Sequence, residues 1–434
     1  MPRFLHAADI HLDSPLQKLA AYDLAPVDQI RHASRRALAS MVDLAVREKV
    51  DAVLIAGDLY DGNWNDQNTG LHFVAQAAKL VDHGIAVLVI RGNHDAENVM
   101  TSSLPLPSNP DGSSIMVAAD RVETRVLESA GIAVHGRSFA SRSVTENLAI
   151  DYPSPVSGMA NVGMLHTSLS GAEGHDTYSP CTADYLTGKL YDYWALGHVH
   201  TRHDHAVGDG RVPVVFPGNL QGRHIRECGP RGCMIVDVDS SHRCTPTFHP
   251  LDEVRWQRIV IDASTIEHPD EVMDHYRREI EDSLAGAPPL LVTRVEVRGE
   301  TGHAAALHRS SRSMLADLRA AAVAMADGRI WMEDYKLRVV TPEVAVVSPE
   351  SASGQDSAPR RSIAAAAEEL IDAPEASEWL AEDLKPLLKK MPVELMDAPE
   401  VGGDDSVLAI DDVDWTRRLI TQAAAELEAR LDVF

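Results

Sequence analysis

At 434 residues the chain is too long for one compact core and reads as two or three domains. Its 44% apolar and 24% charged residues exclude a disordered or fibrous protein, and no apolar run reaches the roughly 18 residues of a membrane span. A net charge of −25 argues against a generic polyanion binder, yet residues 362–434 hold 18 acidic against 6 basic side chains, so about half the excess lies away from any candidate site. The N-terminus reaches a polar motif at Asp9, which leaves no room for a secretory leader. Cys181, Cys228, Cys233 and Cys244 form no CxxC pair and are expected as free thiols, so a cytoplasmic location is expected.

In chain order, Phe4–Ala8 is a short apolar strand that ends at Asp9. Ile30, Ala33, Ala37, Met41 and Leu44 recur at helical spacing and predict a helix to about Arg47. Ala52–Ala56 predicts a strand, 71–81 a second helix, and Ile85–Ile90 a strand that runs into Arg91-Gly92-Asn93-His94. This alternation is the α/β pattern, and each motif starts where a strand stops. Residues 97–125, with Pro105, Pro107, Pro110 and Gly112, read as a long loop. Strands at Ala133–His135, Val162–His166, Tyr193–Leu196, Val212–Phe216 and Cys233–Val238 are expected to form an antiparallel sheet.

A first domain is therefore placed at residues 1–250. The pattern restarts with strands at Arg258–Ile261, Leu290–Val297 and Ile330–Val340, separated by helices at Pro269–Leu284 and His303–Ala326. These make a small α+β domain at 255–345. A linker follows at 346–361, rich in Ser, Gly, Asp and Pro. Residues 362–434 form an acidic helical C-terminal region. There, Trp415, Leu419, Ala423, Leu427 and Leu431 line one stripe that packs either on the chain itself or on a partner protein.

Five short motifs carry the chemistry: Asp9-Ile10-His11, Gly57-Asp58-Leu59-Tyr60-Asp61, Gly92-Asn93-His94-Asp95, the isolated His166, and Gly197-His198-Val199-His200. Each alone is commonplace. In this order they supply carboxylates, imidazoles and one amide for two adjacent divalent metals, the apparatus for splitting a phosphate ester with an activated water. Asp58, central in the set, is the expected bridging ligand. Asp9, His11 and His200 are assigned to one metal, and Asn93, His166 and His198 to the other. In extended backbone Asp9 and His11 would point the same way and reach one ion. Mixed nitrogen and oxygen donors suit Mn²⁺ or Fe better than Mg²⁺, and Mn²⁺ is expected. His94, adjacent to a ligand and so pointing elsewhere, is the candidate general acid or phosphate clamp. Asp61 and Asp95 are candidates for orienting histidines.

Arg223, His224, Arg226 and Arg231 form a basic patch that is either a solvated loop or a phosphate contact; Arg223 and His224 are the candidates for touching substrate. His203 and His205 are expected at the surface or behind the ligands, and His6, His72 and His83 as structural residues. Trp64 either stacks on a base or packs within its loop. No GxxxxGK[ST] loop occurs, so ATP hydrolysis is not expected of this chain.

Over residues 1–220 the ordered motifs resemble the calcineurin-like metallophosphoesterases. That resemblance implies a four-layer αββα sandwich with the dimetal site at one sheet edge. Asp9-Ile10-His11-Leu12-Asp13-Ser14-Pro15 and Phe216-Pro217-Gly218-Asn219-Leu220-Gln221-Gly222-Arg223-His224 are most similar to the SbcD-type DNA repair exonucleases, in particular a YhaO-like branch. The resemblance implies a DNA substrate received by residues 255–345 acting as a capping domain. It also implies a coiled-coil ABC-type ATPase partner docked by the C-terminal region, and a homodimer. The function expected is therefore a Mn²⁺-dependent DNA nuclease, an exonuclease in repair. The rivals are a phosphodiesterase or phosphatase acting on a small nucleotide or phosphoprotein, and a non-catalytic scaffold.

Overall fold

The computed structural model describes residues 1–14, 26–61, 66–96, 105–169, 178–207, 212–284, 286, 288–326 and 328–341, with isolated positions at Ala367, Ile420, Thr421, Ala423 and Ala424. Pro15, Trp64, the 346–361 linker and nearly all of the C-terminal region, with every residue of the Trp415 stripe except Ala423, lie outside the described residues. The chain divides into two compact units. The first is Met1–Gln257 with Gly286–Thr293 and Gly328–Glu333; the second is Arg258–Ala285 with Arg294–Asp327 and the chain from Asp334 onward.

Two sheets build the first unit. One contains β1 (Arg3–Ala7), β2 (Ala52–Ala56), β3 (Ala86–Ile90), β10 (Gly232–Val238) and β11 (Cys244–Pro250), in the order β11-β10-β1-β2-β3. β1, β2 and β3 run parallel, and β10 is antiparallel to β1. The other contains β4 (Glu123–Leu127), β5 (Ile132–Gly136), β6 (Ala160–His166), β7 (Tyr193–Gly197), β8 (His203–Val207) and β9 (Val212–Phe216), ordered β4-β5-β6-β7-β9-β8.

Strand alternation separates the layers. Phe4, Leu54, Leu88 and Ile90 meet Val134, Val162, Met164, Tyr193 and Val215 in an apolar layer between the sheets. The opposite side chains of the first sheet, among them Leu5, Val53, Ile55 and Val87, pack with Leu38, Met41 and Phe73. These last come from the helices α2 (Ala33–Glu48) and α3 (Gln67–Asp82). On the far side of the second sheet, Leu165, Trp194 and Leu196 pack against Leu148 of a 3-10 turn and Leu186 of the short helix α4 (Ala183–Thr187). The layers are thus helix, sheet, sheet, helix, in agreement with the αββα expectation.

The second sheet corrects the antiparallel expectation: β5, β6, β7 and β9 are mutually parallel, and only β4 and β8 run antiparallel to their neighbours. Among the described residues its crossovers carry a 3-10 turn and a five-residue helix and none of the long amphipathic helices that announce parallel strands. Three strands escape the sequence reading. β4 alternates half-buried and exposed residues within the expected loop, and β11 carries Pro246 and Pro250 as edge strands tolerate. β8 pairs with β9, and the 208–211 connection between them lies outside the described residues.

A separate three-stranded sheet, ordered β12-β13-β14, comprises Val254–Asp262, Leu290–Glu300 and Ile330–Val340. The chain runs strand, helix, strand, helix, strand through it. Its helices are α5 (Glu271–Leu284) and α6 (Ala304–Ala326). α5 buries Val272, Tyr276 and Ile280 at four-residue spacing, as an amphipathic helix does.

Candidate metal centre

The loops that follow β1, β2, β3, β6 and β7 converge at one end of the two sheets. After β1 the backbone turns left-handed at Asp9 (φ 51°), His11 (φ 44°) and Asp13 (φ 55°), and after β2 at Asp58 (φ 51°). Left-handed non-glycine residues cost on the order of 1–3 kcal/mol each and persist only where the surroundings fix them. Here the two loops zip together: Asp9 N donates to Gly57 O at 3.0 Å, His11 N to Asp58 O at 3.0 Å and Leu12 N to Leu59 O at 2.9 Å. Asp9 and His11 therefore reach the same place through turn geometry, which replaces the extended period-of-two explanation. Glycine is required at Gly57 and Gly92. A Cβ on the first would press into His166, and one on the second into both Asp58 and His166.

Three clusters result among the described residues, each with ligand atoms within 4.8 Å of one another; His11, Asp61 and His94 form one at the entrance, and the other two gather the candidate ligands. One holds Asp9, His11 and His200; His11 Nε2 and His200 Nε2 are 3.1 Å apart. The other holds Asp58, His166 and His198. Asn93 Oδ1 joins it at 3.0 Å from His166 Nε2 and 3.3 Å from His198 Nδ1. Asp58 Oδ2 lies 3.4 Å from His166 Nε2 and 3.9 Å from His11 Nε2, so it faces both clusters. The backbone N–H of His198 donates to both Asp9 oxygens at 3.0 Å. His166 Nδ1 sits 3.0 Å from the Ala56 carbonyl, which fixes its ring.

Asp9 and Asp58 are fully buried and form no ion pair with Lys or Arg among the described residues; imidazoles surround them. Burial pushes Asp9 up. Burial also lifts Asp58, but the charge and hydrogen bond of His166 outweigh it and bring this carboxyl to about 2. Burial lowers His166, while Asp58 and Asp9 raise it further, to about 9. A proton held between two buried carboxylates is the response of a pocket built around positive charge. Burial, Arg223 and His200 hold His11 well below the usual imidazole range, so its nitrogens stay neutral, and its buried Nδ1 has no hydrogen-bond partner. Neutral imidazoles, buried carboxylates and an amide oxygen fit divalent cations.

His94 donates its backbone N–H to Asp58 Oδ1 at 2.9 Å and places Nδ1 2.7 Å from Asp61 Oδ1. The hydrogen bond to Asp61 raises its pKa. Asp61 thus holds the ring of a histidine. Asp95 does not, contrary to the expectation for it: it accepts backbone N–H groups from Leu59 at 2.8 Å and Gly92 at 2.7 Å, and no histidine donates to it among the described residues. It clasps the loops after β2 and β3, and burial, with the charge of Asp58, pushes it up to about 7.

Arg223 reaches the centre. Its Nη2 is 3.3 Å from His200 Nδ1, and its Nη1 is 3.5 Å from Asp61 Oδ2. His224 is half exposed beside it. Arg231 leaves the basic patch: it is buried and ties the carbonyls of His200 and Cys228 to Asn219. Glu227 is the residue that sequence reasoning misses. It is buried and accepts from His200 Nδ1 at 2.8 Å, Asn219 Nδ2 at 2.9 Å and the Arg223 backbone N–H at 2.7 Å. Burial raises its pKa, but His200 and Arg223 together carry it well below the carboxylate range. It is a carboxylate behind a candidate ligand histidine, an arrangement that fixes tautomer and ring orientation. No spacing rule links it to His200; only its place in the Arg223–Glu227 turn does.

Of the other histidines, His6 is buried between Tyr193 Oη and the Leu196 carbonyl, while His72 and His83 bond backbone carbonyls. His203 and His205 sit on the edge strand β8, away from both clusters. All four cysteines are free.

Residues 2–202 match the family described as calcineurin-like phosphoesterase, and residues 256–340 match the middle domain of metallophosphoesterase YhaO. The uncharacterized metallophosphoesterase YhaO of Bacillus subtilis is 36% identical over 264 residues, 60% of this chain and 63% of that protein. The DNA double-strand break repair protein Mre11 of Aeropyrum pernix is 28% identical over 255 residues, covering 55% and 58%. The SbcD component of the nuclease SbcCD of Staphylococcus epidermidis is 21% identical over 283 residues, covering 59% and 72%. The chain thus spans less than two thirds of the length of the first two relatives.

Proposed function

We propose, for a chain whose phosphoesterase domain belongs to the calcineurin-like metallophosphoesterases and is homologous to YhaO and to the SbcD and Mre11 nucleases, a Mn²⁺-dependent exonuclease activity on DNA. The observation that carries it is the pair of facing clusters with Asp58 between them. In this reading Asp9, His11 and His200 would hold one ion and Asn93, His166 and His198 the other, with Asp58, which faces both clusters, as the shared ligand. Two such ions, when bound, supply an activated water and neutralise charge at the reacting phosphate. His94, held by Asp61 through Nδ1 in a hydrogen bond that raises its pKa, keeps Nε2 for the leaving oxygen and would deliver a proton there. Arg223 meets a non-bridging phosphate oxygen, and Glu227 keeps His200 and Arg223 in register.

DNA is favoured over a small ester by the separate module matched at residues 256–340, which suits a large substrate as a cap, and by the repair and nuclease names of two relatives. The staphylococcal relative, named as one subunit of a nuclease, supports a complex with a second component; a coiled-coil ATPase docked by the C-terminal region, and a homodimer, are what the resemblance to the SbcD-type group implies for it. The test is Mn²⁺-dependent degradation of end-labelled duplex and single-stranded DNA, with Asn93→Ala as control and bis-p-nitrophenyl phosphate in parallel. Ladders that vanish in the variant are the expected result. Cleavage of the ester with DNA untouched, even with the ATPase added, would replace this reading with a small-molecule phosphodiesterase.

A further inference from the structure

A cleft of about 250 Å³, its open mouth included, adjoins the metal centre and shares His11 with it as a wall. Ser14, Arg31, Ser34, Gly222 and Arg223 line it. Its polar groups divide into spent and unspent. Gln221, also on the wall, is used entirely on the backbone at Gly222, Glu253 and Val254, and Ser34 Oγ accepts from Asp13 N. Ser14 Oγ donates to Asp61. Two donors remain. Arg223 Nε is buried without a hydrogen-bond partner, although the far end of the same guanidinium is held by Glu227 and Asp61. Arg31, at the end of the short helix α1 (Val27–Arg31), is exposed and makes no hydrogen bond or ion pair with any described residue.

A buried unpaired guanidinium N–H is costly, and the partner that matches planar N–H donors best is a phosphate or carboxylate. A bare surface arginine would gain nothing from this cleft, but here Arg31 and Arg223 line one concavity that His11 of the metal centre lines as well. We propose that this cleft seats a second phosphate of the substrate, the diester next to the one being cleaved, held by Arg31 and the Nε edge of Arg223. The inference rests on the phosphodiesterase reading above and sharpens it: the substrate is a chain carrying at least two phosphates, and a monoester or isolated diester leaves the cleft unused. Arg31 then contributes to binding and touches no reacting atom.

Calorimetry on the full chain with Mn²⁺ tests this with two probes, thymidine 5′-monophosphate and thymidine 3′,5′-bisphosphate. The bisphosphate is expected to bind about tenfold tighter, the size of one charge-assisted contact. Arg31→Ala is expected to close that gap, and Arg31→Lys to restore part of it as a point charge without the planar fork. Equal affinities in the wild type, or a gap that survives Arg31→Ala, would overturn the proposal. A gap that closes in Arg31→Ala, in a protein that leaves DNA uncut, would keep the second seat and discard the nuclease.

Discussion

The two halves of the candidate centre are held in different ways. The half around His166 and His198 is closed: His166 is fully buried, its Nδ1 faces a main-chain carbonyl, and Asn93 and Asp58 fill the rest. The half around His200 is open: His200 is a quarter exposed, and its Nδ1 faces the Glu227 side chain, itself braced by Asn219 and Arg223. Main-chain support can be lost only by unfolding β2, whereas side-chain support can be altered by one substitution. The closed half is therefore the rigid anchor, and the open half is where affinity and substrate contact are tuned.

The largest expected effect comes from the closed half. Asn93→Ala or His198→Ala should abolish turnover in the DNA assay; a variant as active as wild type would sink the ligand assignment. His94→Ala, at the entrance, should lower the turnover rate by about 10²–10⁴, the worth of a general acid. Metal analysis of that variant should still find two ions, since a lost ion would make His94 a ligand. On the open side, Glu227→Gln should weaken metal binding by about 10–100-fold, measured by calorimetric titration with Mn²⁺. If Glu227→Gln were as damaging as His198→Ala, the contrast between the halves would fail.

The smallest effect concerns the support of the closed half. Burial holds His6 at about 3, against a raising contribution from the Leu196 carbonyl, two residues before His198. The unfolded chain therefore takes up this proton first. Its share of stability is complete above the ordinary histidine range near 6.5 and is lost as pH falls toward 3, by at most about 1.4 kcal/mol per pH unit. Between pH 4.5 and 7 the melting temperature of His6→Gln should depend less steeply on pH than that of wild type. An unchanged slope would mean that His6 binds its proton equally well in both states.

Much of this architecture is legible in the sequence. Ala52–Ala56 and Val212–Phe216 are apolar runs, and the strands have those limits; Ile330–Val340, which mixes apolar with charged side chains, also has the limits expected of it. The two triads meet in space because each motif follows a strand end, which is a feature the sequence displays. Sheet direction is not legible, since β6 is buried along its whole length and a continuously apolar strand carries no mark of its neighbours' polarity. Nor is the left-handed turn at Asp9 and His11, which only glycine advertises in sequence. Glu227 and Arg231 lie in one short turn beside Arg223, yet one supports a histidine and the other is sealed inside. Both are buried, and only their partners separate them: Glu227 meets the His200 ring, and Arg231 the carbonyls of His200 and Cys228.

The amide of His198 fixes the Asp9 carboxylate across 189 residues of chain, and β10, later still, pairs with β1. During synthesis the first candidate ligand leaves the ribosome long before the group that orients it. A nascent or truncated chain ending before β7 holds Asp9, Asp58 and Asn93 without the histidines that complete either cluster. On the proposed function, hydrolytic competence would come late in translation, and a prematurely terminated product would be inert toward phosphodiesters.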